Sequence, residues 1–239
     1  MNWSWDYFFR YLFTDLMLQG AWTTVWLSVT AMVIGVCLGA VAALAKMYGA
    51  TPLRLVADFY IWVFRGTPLL IQLVIIYTGL PQIGIRFSVI ESAIIGLALN
   101  EGAYFAEIVR AGILSVNKGQ DDASRALGMT WAKRMRWVIM PQAARVIIPP
   151  LGNQFNGMLK TSSLASVISM DELLRNAQML AQIEFRVLEV YVCAALWYLA
   201  MVTVWNAIQR RIEARYERPF GPRPAPVAKA LREAAAARA

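Results

Sequence analysis

The chain has 239 residues, of which 59% are hydrophobic and only 16% are charged, against about a quarter charged in an ordinary soluble domain. It carries 9 Trp, no His and a net charge of +8, and its mean hydropathy is +0.49. These values exclude a water-soluble globular domain. The lack of His and the presence of only Cys37 and Cys193, both inside apolar runs, argue against the ordinary metal sites.

Residues 3–11, WSWDYFFRY, read as an aromatic interfacial segment. The run that follows, AWTTVWLSVTAMVIGVCLGAVAALA (21–45), is uncharged and longer than the roughly 20 residues needed to cross a bilayer. It does not fit a cleaved signal peptide, because Asp6, Arg10 and Asp15 precede it without a basic n-region. A second run covers 66–85, and the stretch leading into it, YIWVFRGTPLLIQL, sets Arg65, Gly66 and Pro68 in an apolar path. Proline lacks a donor and restricts the residue before it, so a break is predicted near Gly66–Thr67. Two readings stay open: a broken helix lining a cavity, or a simple kink with Arg65 snorkelling to an interface.

A third run covers 87–100 and continues to Val109 with Asn100, Glu101, Tyr104 and Glu107 along it. A fourth covers about 138–159; Pro149 and Pro150 predict a kink there, followed by Asn153, Gln154 and Asn156, with Lys160, Thr161, Ser162 and Ser163 closing it. A fifth covers about 187–208. The expectation is an all-α membrane protein with about five transmembrane helices, since closed helices satisfy the backbone in lipid. Residues 1–218 form one membrane domain without repeats. Residues 219–239, rich in Pro and then Ala and Arg, read as a disordered cytoplasmic tail.

With the N-terminus outside, 16 of the 23 basic residues fall on one side, among them Lys46, Arg54, Arg110, Lys118 and Arg125. The positive-inside rule therefore makes the C-terminus and the segment 117–141 cytoplasmic. The charge is topological, and no nucleic-acid partner is needed to explain it. In that segment Asp121 and Asp122 suit the start of a helix, Gly128 suits its left-handed stop, and WAKRMRW reads as a separate basic amphipathic helix before Pro141 restarts the chain. On the residues alone, the plainer reading is a surface helix resting on anionic lipid.

The same residues resemble a known pattern. Asp122-Ala123-Ser124, three residues, Gly128, nine residues and Val138-Ile139-Met140-Pro141 are similar to the EAA loop of ABC importer permeases. The spacing is kept, and Asp122, Ser124, Val138 and Met140 replace Glu, Ala, Ile and Leu. FRGTPLLIQL (64–73), LNEGAYFAEIVRAGI (99–113), IPPLGNQFN (148–156) and LKTSSLASVI (159–168) resemble permeases for polar amino acids of the histidine/glutamine type. The likeness runs from about residue 20 to 218.

The resemblance implies a type I ABC importer permease in the bacterial inner membrane. Its coupling helix, near 119–127, would dock on a separate ATP-binding cassette subunit. Asp122, Ala123, Ser124, Arg125, Ala126 and Gly128 would form that handle, with Arg125 free to meet an acid on the partner. A second permease subunit (a homodimer or a similar chain) and an extracytoplasmic solute-binding protein are implied with it. The chain has no P-loop, so ATP and Mg would be bound by the partner and no cofactor by this chain.

Polar residues inside spans are costly unless they face protein or water, which makes Gln72, Asn100, Glu101, Asn153, Gln154, Asn156, Thr161 and Ser162 candidates for a substrate path. The plainer reading of each is a hydrogen bond to a neighbouring helix, worth under about 1 kcal/mol. Glu107 is expected to pair with Arg110 or Arg145. Family members that carry cationic substrates can have an acid near the Gln154 position, so Gln154 favours a glutamine- or glutamate-like substrate, while Glu101 favours a cation such as histidine or arginine. A secondary transporter is the rival class, although no inverted halves are visible. A membrane enzyme is disfavoured by a lone Glu101 without His.

Overall fold

The computed structural model describes residues 3–217; the tail expected to be disordered, 219–239, lies outside them. The described residues contain helices and no strands: α1 (Trp5–Leu12), α2 (Asp15–Tyr48), α3 (Thr51–Gly66), α4 (Leu69–Val74), α5 (Val89–Leu114), α6 (Lys118–Ala126), α7 (Trp131–Arg134), α8 (Met140–Thr161), α9 (Leu173–Glu184) and α10 (Val187–Glu217). By length and apolarity α2, α5 and α10 are membrane-crossing helices. The segments Thr51–Gly66 and Leu69–Ile83 form an apolar pair bent by 108° at a short break. At 22 residues α8 is about 33 Å long, enough to span. It is more polar than the others because it carries Arg145, Lys160 and several amides, and these are tolerable only against protein or water.

The centre of the fold is the pairing of α2 with α5. In lipid no hydrophobic force draws two helices together, so close approach through small residues must supply the packing. Gly35 and Gly39 of α2 face Ala98, Gly102 and Ala106 of α5. A Cβ on Gly39 would stand 2.6 Å from the Phe105 Cβ and 2.7 Å from the Gly102 carbonyl oxygen. Leu27, Ala31, Leu97, Phe105, Phe155 and Met158 form the buried core around this contact. The expected aromatic segment is α1, which buries Phe8 and Tyr11 and exposes Trp5, Phe9 and Phe13. It is fastened to α10 by Trp197 Nε1, which donates to the Leu12 carbonyl at 2.8 Å.

Prolines shape the spans in a way the pattern reading missed. WAKRMRW is not a separate helix: α7 runs through a widened π-turn, Met135–Ile139, straight into α8. The same turn occurs at Ile75–Gly79. In each case a proline, Pro141 or Pro81, follows two residues after the turn. Proline has no N–H for the carbonyl four residues back, and its ring crowds that carbonyl. A turn widened to the i→i+5 pattern relieves both problems. The pair Pro149–Pro150 likewise sits inside a helix that remains continuous.

Because the α2–α5 contact is backbone against side-chain root, it cannot absorb a larger residue. Gly39→Leu should destabilise the folded permease by about 1–3 kcal/mol, read as a lower unfolding temperature in detergent. Gly157→Ala, with nothing within 4 Å of its added Cβ, should leave that temperature unchanged.

Candidate functional site

The site grows from the break between α3 and α4. Thr67 is extended (φ −122°, ψ 146°), as a residue before proline prefers, and α4 starts anew after Pro68. The break frees carbonyl groups at the end of α3, and such groups must be satisfied by protein in the absence of water. Gln72 Nε2 donates to Phe64 O at 3.0 Å and to Thr67 O at 3.1 Å. Asn100 Nδ2 donates to Phe64 O at 3.0 Å and to Gln72 Oε1 at 3.0 Å. Both amides, read from sequence as path residues, hold the bend, and Asn100 also lines the cleft beside it; of the two readings for this span the structure has the broken helix.

Below the bend lies a cleft of about 370 Å³ lined by Thr67, Pro68, Glu101, Tyr104, Gln154 and Thr161. It shares Tyr104 and Gln154 with a second chamber of about 570 Å³, which adds Arg65, Glu107, Arg110 and Asn153. Glu101, only 7% exposed, accepts a hydrogen bond from Gln154 Nε2 at 3.1 Å. The two residues that seemed to point to opposite substrates are therefore one pair, joining α5 to α8. The Arg65 guanidinium lies 5.3 Å from the centre of the Tyr104 ring, so it faces the path rather than snorkelling away. Glu107 pairs with Arg110 at 2.7 Å, as expected, and also with Lys46 at 3.1 Å. Lys46 in turn meets Asp58 at 2.8 Å. These last two contacts join α5 to α2 and α3 across distances in sequence that no pattern reveals.

Two candidates fall elsewhere, and a third stands at the edge of the second chamber. Asn156 Nδ2 donates to Asn206 Oδ1 of α10 at 3.0 Å. At 100° per residue it lies about 200° around α8 from Gln154, so the two cannot share a surface. Ser162 is buried and donates to Leu159 O at 3.1 Å. Asn153 reaches the edge of the second chamber, while its Oδ1 accepts from Gln209 at 3.3 Å. Asn206 and Gln209 were missed as partners because their span looks uniformly apolar up to the basic cluster. Glu172 was missed as well. It caps α9, accepting from Leu174 N and Arg175 N, and receives the Tyr198 hydroxyl at 2.8 Å.

On the side of Gly128, α6 begins one turn earlier than its acids suggested. Asn117 is the cap, its side chain accepting from Gly119 N at 2.8 Å. Gly128 has φ +72° and closes the helix: its N–H bonds Arg125 O at 2.8 Å and Met129 N bonds Ser124 O at 3.1 Å, a Schellman motif. Asp122, Ala123, Arg125, Ala126 and Leu127 (80% exposed) form a free face. Ser124 does not belong to that face. It is 3% exposed and donates to Asp121 O at 2.7 Å. Arg125 is engaged within its own helix, 2.7 Å from Asp121, and Asp121 also lies 3.2 Å from Arg134 at the root of α8.

Comparison with known proteins agrees with this architecture. Residues 35–218 match the family described as "Binding-protein-dependent transport system inner membrane component". The chain is 40% identical to the arginine transport system permease protein ArgU of Corynebacterium glutamicum, over 90% of this chain and 72% of ArgU. It is 41% identical to the L-cystine transport system permease protein TcyB of Bacillus subtilis (86% of this chain, 88% of TcyB). It is 38% identical to the glutamine transport system permease protein GlnP of Escherichia coli (84% of this chain, 92% of GlnP). Among solved structures, a chain of an amino acid ABC transporter with histidines superposes with a TM-score of 0.83 at 42% identity, covering 90% of this chain and all of that one. The chain belongs to the binding-protein-dependent transport system inner membrane components, the permease subunits of ABC importers.

Proposed function

We propose that the chain forms half of the translocation path for a polar amino acid, with glutamine- or glutamate-like substrates favoured, in an ATP-driven importer of the bacterial inner membrane. The observation that carries this reading is the Glu101–Gln154 pair, buried yet open to the cleft beneath the helix break. Every amino acid carries an α-ammonium group, so a carboxylate at Glu101 does not by itself require a cationic side chain. The remaining ionised groups lining the two chambers are Arg65, Glu107 and Arg110. Glu107 is already matched by Arg110 and Lys46. With Glu101 occupied by the α-ammonium, a cationic side chain would meet guanidinium groups and no second free acid. A carboxylate or amide side chain would meet donors at Arg65, Asn153 and Gln154.

The open side of the cleft fits closure by a second permease subunit, either another copy or a similar chain. With the N-terminus outside, α6 lies in the cytoplasm, where its free face of Asp122, Ala123, Ala126 and Leu127 suits a groove on an ATP-binding cassette subunit. ATP and Mg belong to that partner, and an extracytoplasmic solute-binding protein would deliver the substrate. Closure of the ATPase pair would push on α6, and the Asp121–Arg134 contact and the Gly128 turn would pass that push to the base of α8, which carries Gln154.

In labelled uptake by cells carrying this permease, Glu101→Gln should raise the apparent KM for glutamine about 10- to 100-fold, as expected for loss of a hydrogen bond to a charged group. Unchanged uptake would leave Glu101 a structural residue. A panel of glutamine, glutamate, histidine, arginine and cystine fixes the class, and uptake of the cationic members alone would overturn the favoured one.

Gly128→Asp should leave the amount of permease in the membrane near normal, since the added side chain meets open space and Asp is among the residues that enter the left-handed region at modest cost, while abolishing ATP-driven uptake. Normal uptake by this variant would remove the docking assignment.

A further inference from the structure

On the far side of α8 from the polar cleft, the packing of α2, α8 and α10 leaves an apolar groove of about 290 Å³. Val29 of α2, Phe155 and Leu159 of α8, and Met201, Val204 and Ile208 of α10 line it. Gly157 lines the cleft, and Phe155 and Leu159 lie two residues to either side, about 160° around the helix from it. A second subunit that closes the cleft therefore leaves this groove turned toward lipid. Its polar atoms are spent: Trp205 Nε1 donates to Gly152 O at 2.9 Å, and Trp197 Nε1 donates to Leu12 O. What remains accepts only an apolar guest.

The α10 side of the groove is a stripe, Trp197, Met201, Val204 and Ile208, repeating at steps of four, three and four residues. It extends for about 16 Å, half of the roughly 30 Å hydrocarbon core and so the depth of one leaflet. The next members of the stripe, again three and four residues on, are Arg211 and Arg215. Both are exposed, and neither forms an ion pair with any described residue. An apolar channel one leaflet deep thus ends at two free guanidinium groups on the same helix face.

We infer that this groove is a binding site for an anionic phospholipid, with one acyl chain lying along Val204 and its phosphate held by Arg211 and Arg215. The site is independent of which solute the permease carries. Its charge selectivity comes from the arginines and its affinity for a chain from the groove. The inner-membrane setting supplies the ligand.

The test uses the full-length chain purified with its partner subunits and exchanged into detergent with phosphatidylglycerol or phosphatidylcholine, with retained lipid counted by native mass spectrometry. Two arginines near a headgroup should favour phosphatidylglycerol about 30-fold. Arg211→Gln with Arg215→Gln should abolish that preference and leave phosphatidylcholine retention unchanged. Arg210→Gln, an arginine off the stripe, should leave the preference intact. Val204→Trp, at an exposed position whose larger ring fills the groove, should lower retention of both lipids. An undiminished preference in the double variant would overturn the proposal, as would an equal loss with Arg210→Gln. A Val204→Trp variant that changes subunit stoichiometry and not lipid retention would assign the groove to another protein chain.

Discussion

A helix can be broken at membrane depth only if protein takes over the groups the break leaves unpaired, and the amides of Gln72 and Asn100 do this at the carbonyl of Phe64. The polar cleft follows from that arrangement. The bend of 108° turns α4 away from the line of α3, and Thr67 and Pro68 come to form one edge of the cleft. Asn100 fixes the register of α5 against the break, which sets the next residue, Glu101, beside Gln154. One satisfied carbonyl thus determines where the only buried acid of α5 is presented.

Charge in this interior is neutralised in steps. Asp58, Lys46, Glu107 and Arg110 make a chain of contacts across α3, α2 and α5. Glu101 stands outside this chain with an amide, Gln154, as its partner. Buried ion pairs gain little over the cost of removing two charges from water. The Lys46 cluster is therefore better understood as fixing how three helices sit together than as a source of stability, while Glu101, outside the cluster, is the acid on which the proposed substrate path rests.

Two kinds of rigidity meet at the cytoplasmic end. The π-turn before Pro141 makes α7 and α8 one continuous rod, and Asp121 ties α6 to Arg134 on that rod. A force on the free face of α6 then has a short covalent and ionic route to the residues of α8 that line the cleft. The glycine contacts of α2 with α5 bring backbone against backbone and against the root of Phe105, which leaves little room for the two helices to shift.

Local sequence was enough for the apolar spans, a break or kink near Gly66–Thr67, the left-handed stop at Gly128 and the family pattern around it. Each of these is a local property: hydropathy over a window, a missing N–H, a residue without Cβ. It also offered Arg110, three residues along one helix face, as one of two partners for Glu107. What it could not decide was the partner of any group whose mate lies on another helix. Asn156 and Gln154 stand two residues apart with the same chemistry, yet one faces Asn206 and the other Glu101, because α8 turns about 100° per residue and only packing fixes which side meets which neighbour. The opposition between Glu101 and Gln154 dissolved in the same way once tertiary structure brought α5 against α8. Helix continuity through Pro141 was likewise hidden, because a proline that breaks an isolated helix can be absorbed by a wider turn when neighbouring spans hold both halves in line.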